Sequence, residues 1–261
     1  MNKIDKQIHE IKQEKRLGLM THVVIGHPSL SESRELIKIM ADCKVDFIEL
    51  QIPFSDPVAD GPALMKANQS ALDNKTTVKD AMDMMENLSK EIEIPLLFMT
   101  YFNIVHRYGI ENFCKDAANA GCSGLIVPDI PLDEEPNEGF IKAAKKYGIF
   151  VIRVLSPASN ERRLKLNAPL AEGFIYFASH KGTTGTEVKF DQELENNLDK
   201  VRKIINAPIA VGFGISKKEH LLALKGIADI AVVGSAITKI YDETDGDKIS
   251  AVKDFITNLI L

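Results

Sequence analysis

Eight short apolar runs follow one another along the chain, and stretches with helical periodicity separate them. The runs lie near positions 20, 48, 98, 126, 152, 176, 210 and 232, and they read GLMTHVVIG, DFIELQIP, PLLFMTYF, SGLIVPDIP, IFVIRVLSP, GFIYFASH, APIAVGFGIS and ADIAVVGSAI. Between them, stretches such as SLSESRELIKIMADCK repeat apolar residues at intervals of three and four and begin with Ser or a similar capping residue. The pattern therefore predicts alternating strands and helices.

Continuous apolar strands that alternate with helices are typical of a parallel sheet covered by helices on its outer faces. Eight such units in 261 residues fit a closed barrel better than an open sheet. We therefore predict an α/β fold with a single (β/α)8 TIM-barrel domain over residues 1–261, and an open doubly wound sheet is the alternative.

Two segments fall outside the eight repeating units. Ile4, Ile8 and Ile11 share one face of a predicted helix before the first strand, and we expect this extra N-terminal helix to cover the bottom of the barrel. The stretch 61–94 is longer than one helix requires, so we predict an additional short helix there.

An acid lies inside the second apolar run. Strand alternation in DFIELQIP places Ile48, Leu50 and Ile52 on the side of the helices, which sends Glu49 into the barrel near the end where such folds carry their active sites. A buried carboxylate is costly unless it is protonated, paired or functional. A general acid/base is the favoured interpretation, and a structural ion pair with a distant Lys or Arg is the alternative.

Asp60 follows in the Pro-rich loop that leaves the same strand, so we expect it to project over the same mouth. A turn or helix-start cap is an equally good explanation of an Asp in such a loop, and more so for Asp56. His22 alternates with Val24 and is a candidate to face the pocket.

Glycine-rich segments end the last three units. They read HKGTTGTE, GFGIS and VGSAI, in the order in which barrels of this class bind phosphate with backbone N–H groups and a short helix start, here near Ser235. No Walker loop or dinucleotide G-x-G-x-x-G context is present, so a phosphorylated small molecule is the expected ligand.

Composition narrows the class of protein further. The net charge of -5 offers no basic field for nucleic acid or anionic lipid. Three cysteines without ligand spacing predict buried thiols, and His22 and His27 lack an acid at suitable spacing, so we expect no metal site. The charged N-terminus and the absence of an apolar run of about 18 residues predict no signal peptide and no membrane span, and hence a soluble cytoplasmic protein.

Five motifs together resemble those of tryptophan synthase alpha subunits. They are, in order, IELQIPFSDPVADGP, MTYFNIVHRYGIENF, GLIVPDIPLDEE, GFGIS and VVGSAI, and the similarity spans essentially the whole chain. The resemblance implies a lyase that splits indole-3-glycerol phosphate into indole and glyceraldehyde 3-phosphate without a metal or organic cofactor of its own. It also implies a partner, a PLP-containing beta subunit, in a complex of two alpha and two beta chains.

Roles for individual residues follow from the same resemblance. Glu49 would protonate indole C3 and assist removal of the glycerol hydroxyl proton, and Asp60 would accept a hydrogen bond from the indole N–H. The candidate substrate-binding residues are His22, Tyr101 and Tyr176 for the indole pocket, Thr184 in a lid loop, and Gly185, Phe213, Gly214, Gly234 and Ser235 around the phosphate. Pro53 and Asp56 would lie where the beta subunit binds.

The chain departs from the family pattern at four places. The family usually carries Gly at the position of Gln51, an aromatic at His22, Asp at His27 and, in the lid, Arg at His180. Gln51 is the most consequential, because alternation points it into the barrel just above Glu49, where it either hydrogen-bonds that acid or narrows the pocket.

Three functional hypotheses result. The leading one is an active alpha subunit, since both acids and the phosphate loops are present. The second is an interaction subunit that activates its partner with little chemistry of its own. The third is a self-sufficient lyase that produces indole without a partner.

Overall fold

Parallel strands close on one another to form a barrel, in the order in which they occur along the chain. A computed structural model describes residues 2–130, 132–178, 192–212 and 214–260. The eight strands within these residues are β1 (Gly18–Val24), β2 (Phe47–Gln51), β3 (Leu96–Met99), β4 (Gly124–Ile126), β5 (Phe150–Leu155), β6 (Ile175–Ala178), β7 (Ile209–Gly212) and β8 (Ile230–Val233). Strand β8 pairs back onto β1, which rules out the open-sheet alternative and confirms the predicted barrel.

Helices connect and surround the strands. Within the described residues they are α1 (Lys3–Glu14), α2 (Leu30–Asp42), α3 (Pro62–Asp73), α4 (Val78–Glu91), α5 (Phe102–Tyr108), α6 (Ile110–Asn119), α7 (Glu135–Glu138), α8 (Phe140–Lys146), α9 (Glu161–Asn167), α10 (Gln192–Arg202), α11 (Lys218–Leu224), α12 (Ser235–Glu243) and α13 (Lys248–Leu259). Short 3-10 turns occupy Leu132–Glu134 and Ala168–Leu170. The stretch 61–94 holds both α3, of 12 residues, and α4, of 14 residues, so a second helix is present there as predicted but neither helix is short.

Side chains of β2 alternate between two separate apolar clusters. Ile48 and Leu50 belong to the large cluster that the helices share, whereas Phe47 belongs to a smaller cluster inside the barrel. Residues two apart in a strand point to the same face, so Glu49 and Gln51 share the inner face with Phe47. Both are buried, at 2% and 0% exposure. The predicted inward orientation of this acid is therefore correct.

The N-terminal helix closes the bottom of the barrel, as predicted. Ile4, Ile8 and Ile11 of α1 are buried in the inner cluster. The Ile11 Cδ1 atom lies 2.7 Å from where a side chain at Gly18 would begin, at the first residue of β1. Because α1 fills the amino-terminal end of the strands, the open mouth of the barrel lies at their carboxyl ends.

A buried carboxylate holds this helix in place. Asp46, just before β2, is 2% exposed and accepts hydrogen bonds from both terminal nitrogens of Arg16 at 2.7 Å. Gln7 Nε2 and the Leu19 N–H also donate to it, each at 2.8 Å. These bonds join α1 to the first two strands.

The three cysteines are free and buried, as their spacing predicts. No helix among the described residues is long and apolar enough to cross a membrane. That residues 1–261 act as one domain stays a prediction. Thr184, Gly185 and Phe213 of the predicted site, together with His180, lie outside the described residues.

Candidate active site

Two acids, a histidine and a glutamine meet at the carboxyl ends of β1 and β2. The strand register sets His22 opposite Glu49 and Val24 opposite Gln51. Asp60 enters from the loop between β2 and α3 and is 3% exposed. The structure therefore brings the two predicted acids to one buried site.

Glu49 has a partner that lies on the neighbouring strand. His22 Nδ1 lies 3.1 Å from Glu49 Oε2, and both side chains are nearly inaccessible to solvent. Oε2 receives no well-aligned hydrogen bond from the described residues, so the contact is chiefly electrostatic. The carboxylate is thus paired with a titratable imidazole rather than with the distant Lys or Arg of the alternative interpretation.

Asp60 does not act as a helix cap. The cap residue of α3 is Gly61, and the Asp60 carboxylate faces the site instead. Its Oδ2 atom accepts hydrogen bonds from Gln51 Nε2 at 2.6 Å and from Asn68 Nδ2 at 3.2 Å. The functional interpretation of this acid is therefore favoured over the turn interpretation.

Gln51 joins the two halves of the site. Its Oε1 atom lies 2.8 Å from His22 Nε2, while its Nε2 donates to Asp60 and, at 3.4 Å, approaches Asn68 Oδ1. No hydrogen bond among the described residues links Gln51 directly to Glu49, which the amide reaches only through His22. The sequence left open a direct hydrogen bond from Gln51 to Glu49. The structure shows an indirect connection instead, in which His22 lies between the two side chains.

Asn68 is the site residue that sequence reasoning missed. It lies on the buried face of α3, one helical turn after Leu64, and is 1% exposed. Asn68 Oδ1 accepts from the Phe54 N–H at 2.9 Å, and its Nδ2 donates to the Leu64 carbonyl at 2.8 Å. A polar amide on the apolar face of an amphipathic helix was the available signal.

Burial and charge shift the protonation of these groups. Burial by itself lowers the pKa of His22, but the charge of Glu49, aided by Asp60 and the bond to Gln51, raises that pKa above its ordinary value of 6.5. Burial raises the pKa of Asp60 above 3.8, although Gln51, His22 and Tyr101 act in the opposite direction. The site thus favours protonated forms of both residues relative to water.

Two tyrosines, Tyr101 and Tyr176, lie close to this group, and their contact with an indole ring stays a prediction. Tyr101, fully buried after β3, accepts a hydrogen bond from the Ala59 N–H at 3.1 Å and stacks on Phe54 at 5.2 Å between ring centroids. The Tyr176 hydroxyl lies 2.8 Å from where a side chain at Gly212 would begin. Burial, followed by the charges of Glu49 and Asp60, raises the pKa of Tyr176 well above 10.0.

The glycine-rich end of the site lies at the start of α12. Gly234 is its cap residue and Ser235 its first residue, and no side chain of the described residues caps this helix. A side chain at Gly234 would begin 3.3 Å from His22 Cβ, so the helix start adjoins His22. Gly214 has a φ of +59°, a conformation that glycine adopts readily. Free N–H groups at such a helix start can bind an anion.

The loop from β2 to α3 also reaches the surface. Pro53 is buried, whereas Asp56 is exposed and accepts a hydrogen bond from Ser55 Oγ at 2.5 Å. Val58 is 71% exposed. One loop therefore carries a buried acid at one end and an exposed apolar side chain two residues earlier.

Taken together, these groups can move protons on a ligand held in the mouth. A carboxylate oxygen without an aligned donor can give or take a proton, a second carboxylate can stabilise positive charge, and the α12 start can hold an anionic group. The expected ligand is an anion with a reactive, weakly basic centre.

The chain is similar to a known protein family over nearly its whole length. The family model described as tryptophan synthase alpha chain matches residues 8–259. A tryptophan synthase alpha chain from Desulfotalea psychrophila is 43% identical over 98% of this chain and 99% of that protein. One from Syntrophotalea carbinolica is 42% identical over 94% and 95%, respectively.

Solved structures agree with these sequence matches. The tryptophan synthase subunit alpha from Legionella pneumophila superposes with a TM-score of 0.92 at 28% identity, covering 99% of this chain and 97% of that one. A chain of Mycobacterium tuberculosis tryptophan synthase superposes with a TM-score of 0.91 at 27% identity, covering 98% and 96%. The likeness therefore extends over the whole barrel.

Proposed function

This chain belongs to the tryptophan synthase alpha chain family, and on that premise we propose that Glu49 and Asp60 carry out the cleavage of indole-3-glycerol phosphate into indole and glyceraldehyde 3-phosphate. The observation that carries this proposal is the position of the Glu49 Oε2 atom, buried at the mouth without an aligned hydrogen-bond donor from the described residues. An oxygen in that state is available to a proton of the substrate.

The proposed reaction is a retro-aldol cleavage with a closed proton balance. The protonated Glu49 carboxyl gives its proton to indole C3, and the ring becomes a positively charged indolenine. The Glu49 carboxylate then takes the proton of the glycerol hydroxyl as the bond between the two carbons breaks. The electron pair of that bond returns to the ring, so indole and an aldehyde leave while Glu49 regains its proton.

Asp60 stabilises the positive intermediate in this proposal. Both amide donors, from Gln51 and Asn68, occupy Oδ2, and we assign the indole N–H to the other oxygen, Oδ1. A carboxylate held by two buried amides needs no reorganisation when positive charge develops on the ring. The indole ring then lies between Tyr101 and Tyr176, with the phosphate at Gly214, Gly234 and Ser235. Roles for Thr184, Gly185 and Phe213 at the lid and phosphate follow from family resemblance alone.

Substitution of each acid by its amide tests these assignments. We expect Glu49→Gln to lower kcat for indole release by at least about 100-fold, since general acid/base catalysis contributes about that much or more. We expect Asp60→Asn to lower kcat by about 10- to 100-fold through loss of charge. Glu86→Gln on the exposed face of α4, where Glu86 pairs with Lys90, is the matched control and leaves kcat unchanged. A Glu49→Gln protein within a few fold of wild type would refute the assignment.

The partner in this proposal is a beta subunit that carries PLP, in a complex of two alpha and two beta chains. The chain itself uses no cofactor, because the reaction needs only proton transfers. The loop with Pro53, Asp56 and Val58 is the proposed contact, because its exposed part adjoins the segment that ends at Asp60. Binding at the surface can then alter the position of an acid in the site.

Turnover with and without the beta subunit separates the three functional hypotheses. An active alpha subunit cleaves its substrate slowly alone and faster in the complex. Fast cleavage by the isolated chain, with no complex in a sizing experiment, would instead support a self-sufficient lyase. Stimulation of the beta reaction with no cleavage under either condition would support an interaction subunit.

A further inference from the structure

The orientation of the buried Asn68 amide is fixed by the backbone around it. The Phe54 N–H donates to Oδ1 at 2.9 Å, and Nδ2 donates to the Leu64 carbonyl at 2.8 Å. A backbone N–H only donates and a carbonyl oxygen only accepts, so the two ends of this amide cannot be exchanged. Asn68 Oδ1 is therefore an acceptor.

This acceptor in turn fixes the orientation of Gln51. One end of the Gln51 amide lies 3.4 Å from Asn68 Oδ1 and 2.6 Å from Asp60 Oδ2. Since an amide oxygen and a carboxylate both accept, that end is the NH2 group. The carbonyl oxygen Oε1 must then face His22 Nε2, which lies 2.8 Å away. A carbonyl accepts only, so His22 Nε2 carries a hydrogen and donates it.

A proton on Nε2 has a consequence for the other ring nitrogen. Neutral imidazole carries a single hydrogen, and if Nε2 holds it, the Nδ1 lone pair faces Glu49 Oε2 across 3.1 Å. A lone pair and a carboxylate oxygen at that distance repel one another. The pair therefore requires a further proton, either on Nδ1 opposite the Glu49 carboxylate or on Oε2 opposite a neutral ring.

The other charged groups around His22 do not alter this conclusion. Asp60 is negative and acts on His22 in the same direction as Glu49, and Tyr101 and Tyr176 are held neutral by burial near the two acids. On the β8 side the neighbour is Gly234, which has no charge. None of the ion pairs among the described residues brings a Lys or Arg to this group.

We propose that His22 is a positioning residue that acts through Glu49: its Nδ1 stores the proton that Glu49 delivers to the substrate, and Gln51 enforces this by occupying Nε2. The inference rests on the proposed function and deepens it. The proton on Nδ1 first passes to Glu49 Oε2, and Oε2 delivers it to indole C3. After the bond between the carbons breaks, the hydroxyl proton passes to Glu49 and from there to Nδ1, so the pair ends as it began. The raised pKa of His22 agrees with a stored proton.

Nitrogen NMR of the wild-type chain labelled in histidine tests the stored proton without any substitution. We expect Nε2 of His22 to stay protonated across the titration, with only Nδ1 titrating, at a midpoint above 6.5. In Glu49→Gln the midpoint should fall, because the charge that holds the proton is gone while Nε2 stays protonated. An Nδ1–H neutral tautomer, or a midpoint that Glu49→Gln leaves unchanged, would overturn the proposal.

The dependence of kcat on pH supplies the second test. His22→Gln can keep a donor for Gln51 Oε1 but has no titratable nitrogen. We expect kcat within about threefold of wild type on the acid side, and at least about tenfold lower on the alkaline side, because Glu49 then has to hold the proton by itself. The control His106→Gln replaces an exposed histidine on α5 and leaves the profile unchanged. A uniform loss across all pH values in His22→Gln would show a merely structural role and would overturn the proposal.

A second variant separates the stored proton from the shape of the pocket. Gln51→Met keeps the length of the side chain but removes the acceptor at Nε2, so the neutral Nδ1–H tautomer becomes available to His22. We expect this tautomer to appear in the NMR spectrum and the midpoint of the His22 ring to fall. An unchanged spectrum would contradict the role of Gln51. These NMR outcomes do not depend on turnover, whereas the proposed function fails if Glu49→Gln and Asp60→Asn both leave cleavage intact.

Discussion

At the scale of single residues, the site depends on amides that have no freedom to turn. Asn68 makes hydrogen bonds to two backbone groups and to Asp60, and it thereby fixes Gln51. Buried amides with every partner satisfied are rigid, and loss of one leaves several groups unpaired at once. The positions of Asp60 and Gln51 therefore depend on a side chain that is assigned no contact with substrate.

Removal of the Asn68 side chain should lower stability as well as activity. We expect Asn68→Ala to lower the free energy of unfolding by about 2 to 3 kcal/mol, since the part-buried Phe54 N–H loses its acceptor and the buried Asp60 Oδ2 loses a donor. Urea unfolding measures the change. The next residue, Gln69, is exposed and bonds only Asp73 among the described residues, so Gln69→Ala should shift the value by no more than about 0.5 kcal/mol. Equal effects of the two substitutions would contradict a stabilising role for the Asn68 hydrogen bonds.

The sequence could predict which way residues face but not which ones meet. Strand alternation is a local property, and it placed Glu49 and Gln51 inside the barrel correctly. The contact of His22 with Glu49 depends on the register between two strands, and Asn68 arrives from a helix that packs over them. These are tertiary properties, which is why the sequence offered no partner for Glu49.

At the scale of elements, the loop between β2 and α3 is tied to the barrel by Tyr101. This hydroxyl accepts the Ala59 N–H, and the ring stacks on Phe54 at the other end of the loop. Pro53 is buried while Val58 is 71% exposed, so the loop is anchored on the side of the site and open on the side of solvent. The exposed Val58 is only two residues from Asp60, so a movement of the exposed part of the loop can change the position of the Asp60 carboxylate.

Loss of the tyrosine hydroxyl should loosen this loop selectively. We expect Tyr101→Phe to speed amide hydrogen exchange about tenfold in residues 54–61, because the Ala59 N–H loses its acceptor while the stacked ring remains. Exchange in α4, which the hydroxyl does not contact, is the internal control and should not change. If the loop exchanges at the wild-type rate, the hydroxyl does not anchor it.

The alternation of helices and strands was predictable because apolar periodicity and caps are local signals. The α4 helix begins with a capping box of Thr77 and Asp80, and α1 places three isoleucines on one face, as the spacing indicates. The link from Arg16 to Asp46 was not predictable, since it joins a helix end to a strand start 30 residues away. Local sequence patterns thus specify the helices and strands, and long-range polar bonds such as that from Arg16 to Asp46 hold these elements together.

At the scale of the whole molecule, the buried pair makes stability depend on pH. The folded pKa of His22 lies above its ordinary 6.5, so the folded chain holds that proton more tightly than the unfolded chain. The resulting stabilisation is fully present below pH 6.5 and is lost as the pH rises through the pKa of His22 in the folded chain. The pKa of Asp60 is also raised, but from 3.8, so its contribution begins to be lost at lower pH.

Urea unfolding at several pH values measures this linkage. We expect the free energy of unfolding to fall as the pH rises from about 6.5 to about 7.5, below the range in which thiols titrate. In His22→Gln the fall over this window should disappear, because the titrating group is gone. His106→Gln, which removes an exposed histidine, should retain it. A wild-type stability that is flat or rises over the window would contradict the raised pKa.

The bond between His22 Nε2 and Gln51 Oε1 has an evolutionary consequence. The resemblance implies an aromatic and a glycine at these two positions in the family, and neither exchange is favourable alone. A lone histidine would keep an unpaired nitrogen in the core, and a lone glutamine would lack a donor for its carbonyl. The two departures therefore depend on each other. We therefore expect relatives to carry either the pair of His at 22 and Gln at 51 or the pair of an aromatic at 22 and Gly at 51. Mixed pairs should be rare.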